Sequence, residues 1–364
     1  MSEAEMEPVA VRAPRSNPDL VAHEAGEKAL REGYLSNRLH HAWLITGARG
    51  IGKATLAYRF ARFLLARGAG KDLFANTPES LYVSPEHPVF KRVASGGHAD
   101  LLTVERGFDE KRGRMRNAII VEDVRAIGAF LSLTPAEGGW RVVVIDGAED
   151  MNRHAANAVL KVLEEPPQRT VLLLVSHAPG RLSSTIRSRC RRLALKPLAQ
   201  RDVAALLAGV RPDLGADEVT ALAKISEGSA GRALRLAEEG GLDLYRELVR
   251  LLAPLPELDI AAVHGIGERL GRPSGEAGYH TFTELMRWWL ARLVRGGALG
   301  IVPESVVPGE NALIERLTGL SGLDRWVEVW EKINRLFARA DSVGLDRKQV
   351  VLTAFLTLKS ATRA

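Results

Sequence analysis

The sequence holds one cysteine, Cys190, in 364 residues. A lone thiol forms no internal disulfide and builds no multi-cysteine zinc site, which fits a reducing compartment. No run approaches the roughly 20 uninterrupted apolar residues that span a bilayer. The opening stretch, MSEAEMEPVAVRAPRSNPDL, is mixed in charge and lacks an apolar signal core. A cytoplasmic chain with no membrane contact is therefore expected. Aromatics are few, at 5%, and no internal repeat of fixed period stands out. Charge of one sign is not in great excess either: the net charge of +6 is compatible with a polyanionic partner and demands none. What remains, 46% hydrophobic and 26% charged residues, is ample for buried cores in about two or three domains.

Residues 1–18 read as a loosely ordered arm, since Pro8, Pro14 and Pro18 discourage regular structure. A helix is expected over 19–32. The run WLIT at 43–46 stops at glycine, and Leu56, Phe60, Phe63 and Leu64 recur at helical spacing just after it. Two further runs, VVVID at 142–146 and TVLLLVS at 170–176, have the continuous apolar character of strands buried on both faces of a parallel sheet. Between them NRHAANAVLKVLEE predicts a helix closed by Pro166 and Pro167. This alternation predicts an α/β domain with a parallel sheet over 19–197. Beyond it, three short helical stretches (203–210, 217–225, 231–239) make a small helical domain over 198–241, and an all-α domain follows over 242–364. In the latter, Phe282, Leu285, Met286, Trp289 and Leu293 form one apolar stripe. Trp326, Trp330, Ile333 and Phe337 form another behind an N-cap expected at Asp324.

The chemistry is written in the first domain. TGARGIGKAT follows the pattern of a phosphate-binding loop, with Gly47, Gly50, Gly52 and Lys53 in place. The glycines let backbone N–H groups close on a phosphate, the helix N-terminus adds its positive dipole end, and the lysine neutralises outer oxygens. The next residue should carry the hydroxyl that holds magnesium, and it is Ala54; Thr55 lies a quarter-turn further round. Asp146 ends its strand where a magnesium-directed acid belongs, but Gly147 follows where hydrolytic enzymes place a glutamate to orient water. Glu149 and Asp150 read as acids at the start of the next helix. A nucleotide is compatible with this loop, magnesium would be poorly held, and no cofactor is required.

The order of TGARGIGK, VVVIDGAEDMNRHAANAVLKVLEEPP and STIRSRCRRLALKPL resembles the bacterial clamp-loader family over roughly residues 17–240, most specifically in LEEPP and SRC. The resemblance implies an AAA+ P-loop domain (19–197), a helical lid (198–241) and a helical collar for oligomerisation (242–364). It implies a ring with gamma/tau and delta subunits that places a sliding clamp on primed DNA, and membership as a ring subunit that does not itself hydrolyse ATP. In the SRC motif of Ser188, Arg189 and Cys190, the arginine would act in trans on a neighbour's ATP. Ser176 stands where relatives carry a polar sensor. Gly231 stands where ATPase relatives carry a sensing arginine, with Arg232 one residue on. Some relatives have a four-cysteine zinc module after the P-loop helix. The corresponding stretch here, about 68–97, has Ser84, Pro85, His87 and Pro88 and no cysteine, so no zinc is expected. Arg187, Arg191 and Arg192 read as a solvated basic cluster and Cys190 as a small buried hydrophobe. Two alternatives stay open: an active, gamma/tau-like ATPase of the same fold, and a P-loop kinase.

Overall fold

A computed structural model describes residues 12–68, 79–110, 113–137 and 139–362. Most of the expected N-terminal arm (1–11) and the middle of the stretch considered for zinc (69–78) lie outside the described residues. The chain forms two compact units, one made of 1–212 and 227–232, the other of 213–226 and 233–364.

In the first unit the elements run α1 (Glu24–Leu35), β1 (Ala42–Thr46), α2 (Lys53–Arg67), α3 (Pro88–Ser95), β2 (Leu101–Val104), a two-residue-per-strand hairpin of β3 (Phe108–Asp109) and β4 (Arg114–Met115), and α4 (Val121–Ser132). Then come β5 (Arg141–Asp146), α5 (Arg153–Glu164), β6 (Thr170–Ser176), α6 (Ser184–Arg189), β7 (Arg191–Ala194) and α7 (Gln200–Val210). Among the described residues β2, β5, β6, β1 and β7 lie side by side in that order, all parallel. Each crossover carries a helix, as parallel pairing requires.

Alternate strand residues serve two cores, the consequence of a period of two. Val142 and Val144 pack with Phe60, Phe63 and Leu64 of α2. Val143 and Ile145, one residue out of phase, pack with Ile127 of α4, Val159 and Leu163 of α5 and Ile186 of α6. Burying each such side chain contributes about 1.5–3 kcal/mol, and this is why the strands read as unbroken apolar runs. The result is the α/β fold with a parallel sheet expected from the sequence, followed by a helical C-terminal region.

Helix α1 starts at Glu24 rather than near residue 19, because Ala22 and His23 hold φ of +57° and +69°. That left-handed backbone cannot continue a right-handed helix.

The second unit is helical among its described residues: α8 (Ala216–Ile225), the greater part of α9 (Ala230–Glu238), α10 (Gly241–Leu252), α11 (Ile260–Gly271), α12 (Glu276–Leu299), α13 (Glu310–Leu320), α14 (Leu323–Val343) and α15 (Arg347–Ala361). The α12 stripe of Phe282, Leu285, Met286, Trp289 and Leu293 is fully buried. On α14, Trp326, Ile333 and Phe337 are buried, and Trp326 donates its indole N–H to the Leu317 carbonyl at 3.1 Å. Trp330 departs from the expected stripe: it is 36% exposed, and Val329 takes the inner position. The buried set is Trp326, Val329, Ile333, Phe337 and Ala340, whose centre lies on the side of Val329, so Trp330 falls at the stripe's edge. The N-cap is Gly322, and Asp324 sits inside the first turn, where its charge still favours the positive helix end.

Candidate functional site

Strand β1 delivers the chain into the loop 47–52, and α2 leaves that loop with Lys53 as its first residue. Gly47, Gly50 and Gly52 hold φ of +146°, +75° and +101°. At Gly50 the need for glycine is steric as well, since a Cβ would stand 2.4 Å from Ser229 Oγ. The loop is clasped from outside. Ser229 donates its hydroxyl to the Arg49 carbonyl, and the Gly231 N–H donates to the Gly50 carbonyl, each at 2.8 Å. His23 Nε2 donates to the Ile51 carbonyl at 2.6 Å, which explains the backbone kink before α1. Lys53 is buried and gives its ammonium to the Ala48 carbonyl at 2.6 Å.

A Cβ on Gly231 would lie 3.1 Å from Gly50 Cα. The residue that stands in place of a sensing arginine is thus the one that lets the chain close on the loop. Arg232, next to it, lies 3.9 Å from Glu227. Ala54 and Thr55 are half-buried in the first turn of α2.

Asp146 is the last residue of β5. Burial first, and then the Glu105 charge, push its carboxyl above the ordinary range, while Lys53 pulls the other way. Burial likewise lowers the Lys53 ammonium, opposed by Glu149 and Asp146. Gly147 holds φ of +76°, and a Cβ there would come within 3.1 Å of Asp150 Oδ2. A glutamate at 147 would be strained.

Glu149 is not the helix-starting acid the sequence suggests. It lies in a 3-10 turn, Ala148–Asp150, and α5 is capped instead by Asn152, which accepts from the Ala155 N–H at 2.9 Å. The buried Glu149 carboxylate accepts from the His177 N–H at 2.9 Å, the Ala178 N–H at 3.3 Å, and the His177 ring. Burial alone would raise its carboxyl; these hydrogen bonds hold it below the usual carboxylate range. Glu149 thereby ties the turn after β5 to the end of β6. Ser176, the expected sensor, is fully buried at that end.

The SRC motif ends α6, whose Ser183 cap accepts from the Ile186 N–H at 3.3 Å. Cys190 is buried, which pushes its thiol up to about 12, and Ser188 donates to the Thr185 carbonyl at 3.0 Å. The neighbouring arginines Arg187, Arg191 and Arg192 are exposed, as a solvated basic cluster would be, and each also makes a contact within the chain. Arg187 donates to the Leu182 carbonyl at 2.7 Å, Arg191 lies 4.8 Å from the Trp43 ring centre, and Arg192 Nε is 3.5 Å from Thr46 Oγ1. Arg189 donates to the Thr185 carbonyl at 3.2 Å and pairs with Glu164 at 2.7 Å.

Position matters most for Arg189. Strands β1 and β7 are parallel with Trp43 opposite Arg191. Arg189 therefore lies before the strands begin, while the P-loop lies after β1 ends. At about 3.3 Å per residue, roughly 13 Å of strand separates the two levels, so the structure puts the SRC arginine and the P-loop at opposite ends of the neighbouring strands β1 and β7. Among the described residues, no group of three or more His, Cys, Asp or Glu is placed to hold a metal ion.

Residues 22–199 match the protein family described as "DNA polymerase III, delta subunit". The delta' subunit of DNA polymerase III from Pseudomonas aeruginosa is 36% identical over 222 residues, covering 61% of this chain and 63% of that protein. Over these residues the chain is similar to subunits of DNA polymerase III. A second relative, the tau/gamma subunit from Haemophilus influenzae, is 31% identical over 232 residues, 62% of this chain and 31% of its own length. The chain thus spans less than two thirds of the length of either relative. Among solved structures, a DNA polymerase III gamma subunit-related protein from Thermotoga maritima aligns over 95% of this chain and 100% of its own, with 18% identity and a TM-score of 0.42.

The roles of four residues of the first unit escaped the sequence reading: His23, Glu149, Glu164 and Ser229. Glu164 alone had a sequence signal, its place in LEEPP. The other three act through contacts with residues 28 to 180 positions away.

Proposed function

We propose that this chain is the delta-prime-type subunit of a bacterial clamp loader: it does not hydrolyse ATP itself, and it supplies Arg189 to the ATP site of a neighbouring subunit. The observation that carries this reading is the separation of Arg189 from the chain's own P-loop by the length of the sheet. An arginine so placed serves a nucleotide only on another subunit, where a planar, forked guanidinium stabilises charge developing on the γ-phosphate. Ala54 in place of the magnesium hydroxyl, Gly147 in place of the water-orienting acid, and the clasp on the P-loop all support the non-hydrolysing half. ATP or ADP is not required for the role. The partners are gamma/tau and delta subunits and, through the assembled ring, the sliding clamp and primed DNA in the cytoplasm. Residues 198–241 serve as the lid and 242–364 as the collar through which the ring assembles.

The competing reading is a gamma/tau-like motor, favoured by the tau/gamma match. A steady-state ATPase assay on the purified chain separates the two. We expect hydrolysis at background; turnover near ~1 per second, within the ordinary enzyme range, would contradict it. Ala54→Thr with Gly147→Glu should add little, since position 147 is strained for any side chain and position 231 still lacks its arginine.

A further inference from the structure

LEEPP and SRC carry the resemblance to the clamp loaders, yet only SRC has a role in the reading above. The structure joins them. Glu164 ends α5, Arg189 ends α6, the two helices pack together, and the carboxylate meets the guanidinium at 2.7 Å. We infer that Glu164 is the positioning residue of the SRC arginine: the LEEPP carboxylate and the Thr185 carbonyl hold the Arg189 guanidinium in a fixed orientation, with its remaining donors facing outward. The inference rests on the in-trans role proposed for Arg189.

An arginine has five N–H donors in a rigid fork. Glu164 and Thr185 each take one, from Nη2 and Nη1 respectively, leaving one on each terminal nitrogen and the Nε–H. A guanidinium with donors left on both terminal nitrogens can still donate to a phosphate, which accepts. The side chains of Arg189 and Glu164 are 36% and 48% exposed. A pair so open to water is screened and adds little to folding stability. Its effect lies in orientation: a long side chain with large rotamer freedom is kept in one arrangement before the neighbour's phosphate arrives, so less entropy is lost on engagement.

The test uses the full chain in a ring reconstituted with gamma and delta subunits, reading single-turnover hydrolysis at the served site together with clamp loading. Glu164→Ala should lower the rate constant roughly 2- to 5-fold, the range of a solvent-exposed pair, with the KM for ATP unchanged. The deficit should narrow as salt is raised and screens the pair in the wild type. Glu164→Gln keeps an acceptor oxygen in place and should recover most of the loss. Glu165→Ala, the same change of charge one residue on, should match wild type. In the Arg189→Ala background, Glu164→Ala should add nothing, because the group it positions is gone. If Arg189→Ala slows the ring while Glu164→Ala does not, or if the two losses multiply, the positioning role is wrong and the arginine's role stands. If Arg189→Ala is itself silent, the underlying in-trans reading fails and takes this inference with it. An unchanged thermal midpoint for Glu164→Ala shows that any loss of rate is not a loss of fold.

Discussion

Asp146 stands at the end of a buried strand with burial and Glu105 both working against its charge. Its folded carboxyl titrates above the ordinary value of 3.8, so the native state binds that proton more tightly than the unfolded chain does. The stabilisation this gives is present in full below 3.8 and is lost as pH rises through the folded value. At neutral pH the ionised group is a net cost. Asp146→Asn should therefore raise the thermal midpoint at pH 7, with the gain shrinking as the pH is lowered toward 4. No gain at pH 7, or an equal gain at pH 4, would contradict this. At the same scale, the turn at Gly47, Gly50 and Gly52 between strand and helix was legible because its positive φ values restrict residue type at fixed spacing. His23 was not. Its role depends on a left-handed backbone and on a carbonyl 28 residues away, and neither leaves a periodic trace. Glu149 was misread for a related reason. An acid just before a helix suggests a favourable dipole contact, but Asn152 holds the cap and Glu149 turns inward to the end of β6.

Strands β5 and β6 could be read to within a residue, because burial on both faces leaves no polar interruption and the flanking turns are marked. Helix starts were less legible: α1 begins five residues later than expected and α14 is capped by Gly322 rather than Asp324, in each case because backbone conformation outside the helix decides the first turn. The helical unit also holds a polar cluster that no pattern announces. Glu310, fully buried at the start of α13, accepts from the Arg292 guanidinium of α12 and from the Tyr245 hydroxyl of α10 at 2.6 Å, and its other oxygen takes the Val306 N–H at 2.7 Å. Arg292 also donates to the Glu304 carbonyl at 2.5 Å and lies 4.6 Å from the Trp288 ring centre. Every partner is on a different element from Glu310 or on the loop before it. Removing the carboxylate strands a buried guanidinium, and breaking such a pair from one side costs about 3–5 kcal/mol. Glu310→Ala should lose about that much stability in urea unfolding of the helical unit; a loss under about 1 kcal/mol would show that water replaces the partner freely.

At the scale of the whole molecule, the roles proposed for lid and collar and the two compact units cut the chain differently. Helix α8 falls in the proposed lid, yet it packs with α10 in the second unit. A chain cut at residue 242 would strip α8 of that partner, so a test of ring function keeps the chain intact. The central claim is that a subunit with no hydrolysis of its own is needed for a neighbour's. It is tested most directly by measuring ATPase and clamp loading in a ring reconstituted with full-length Arg189→Ala. An arginine supplied in trans is worth about 10³–10⁵ in rate at the site it serves. Total ATPase should fall only in part, because the other sites keep their own arginines, and clamp loading, which needs the sites together, should fall further. Arg189→Lys should not restore either, since a point charge lacks the forked geometry. A ring carrying Arg189→Ala that matches wild type in both ATPase and clamp loading would contradict the account.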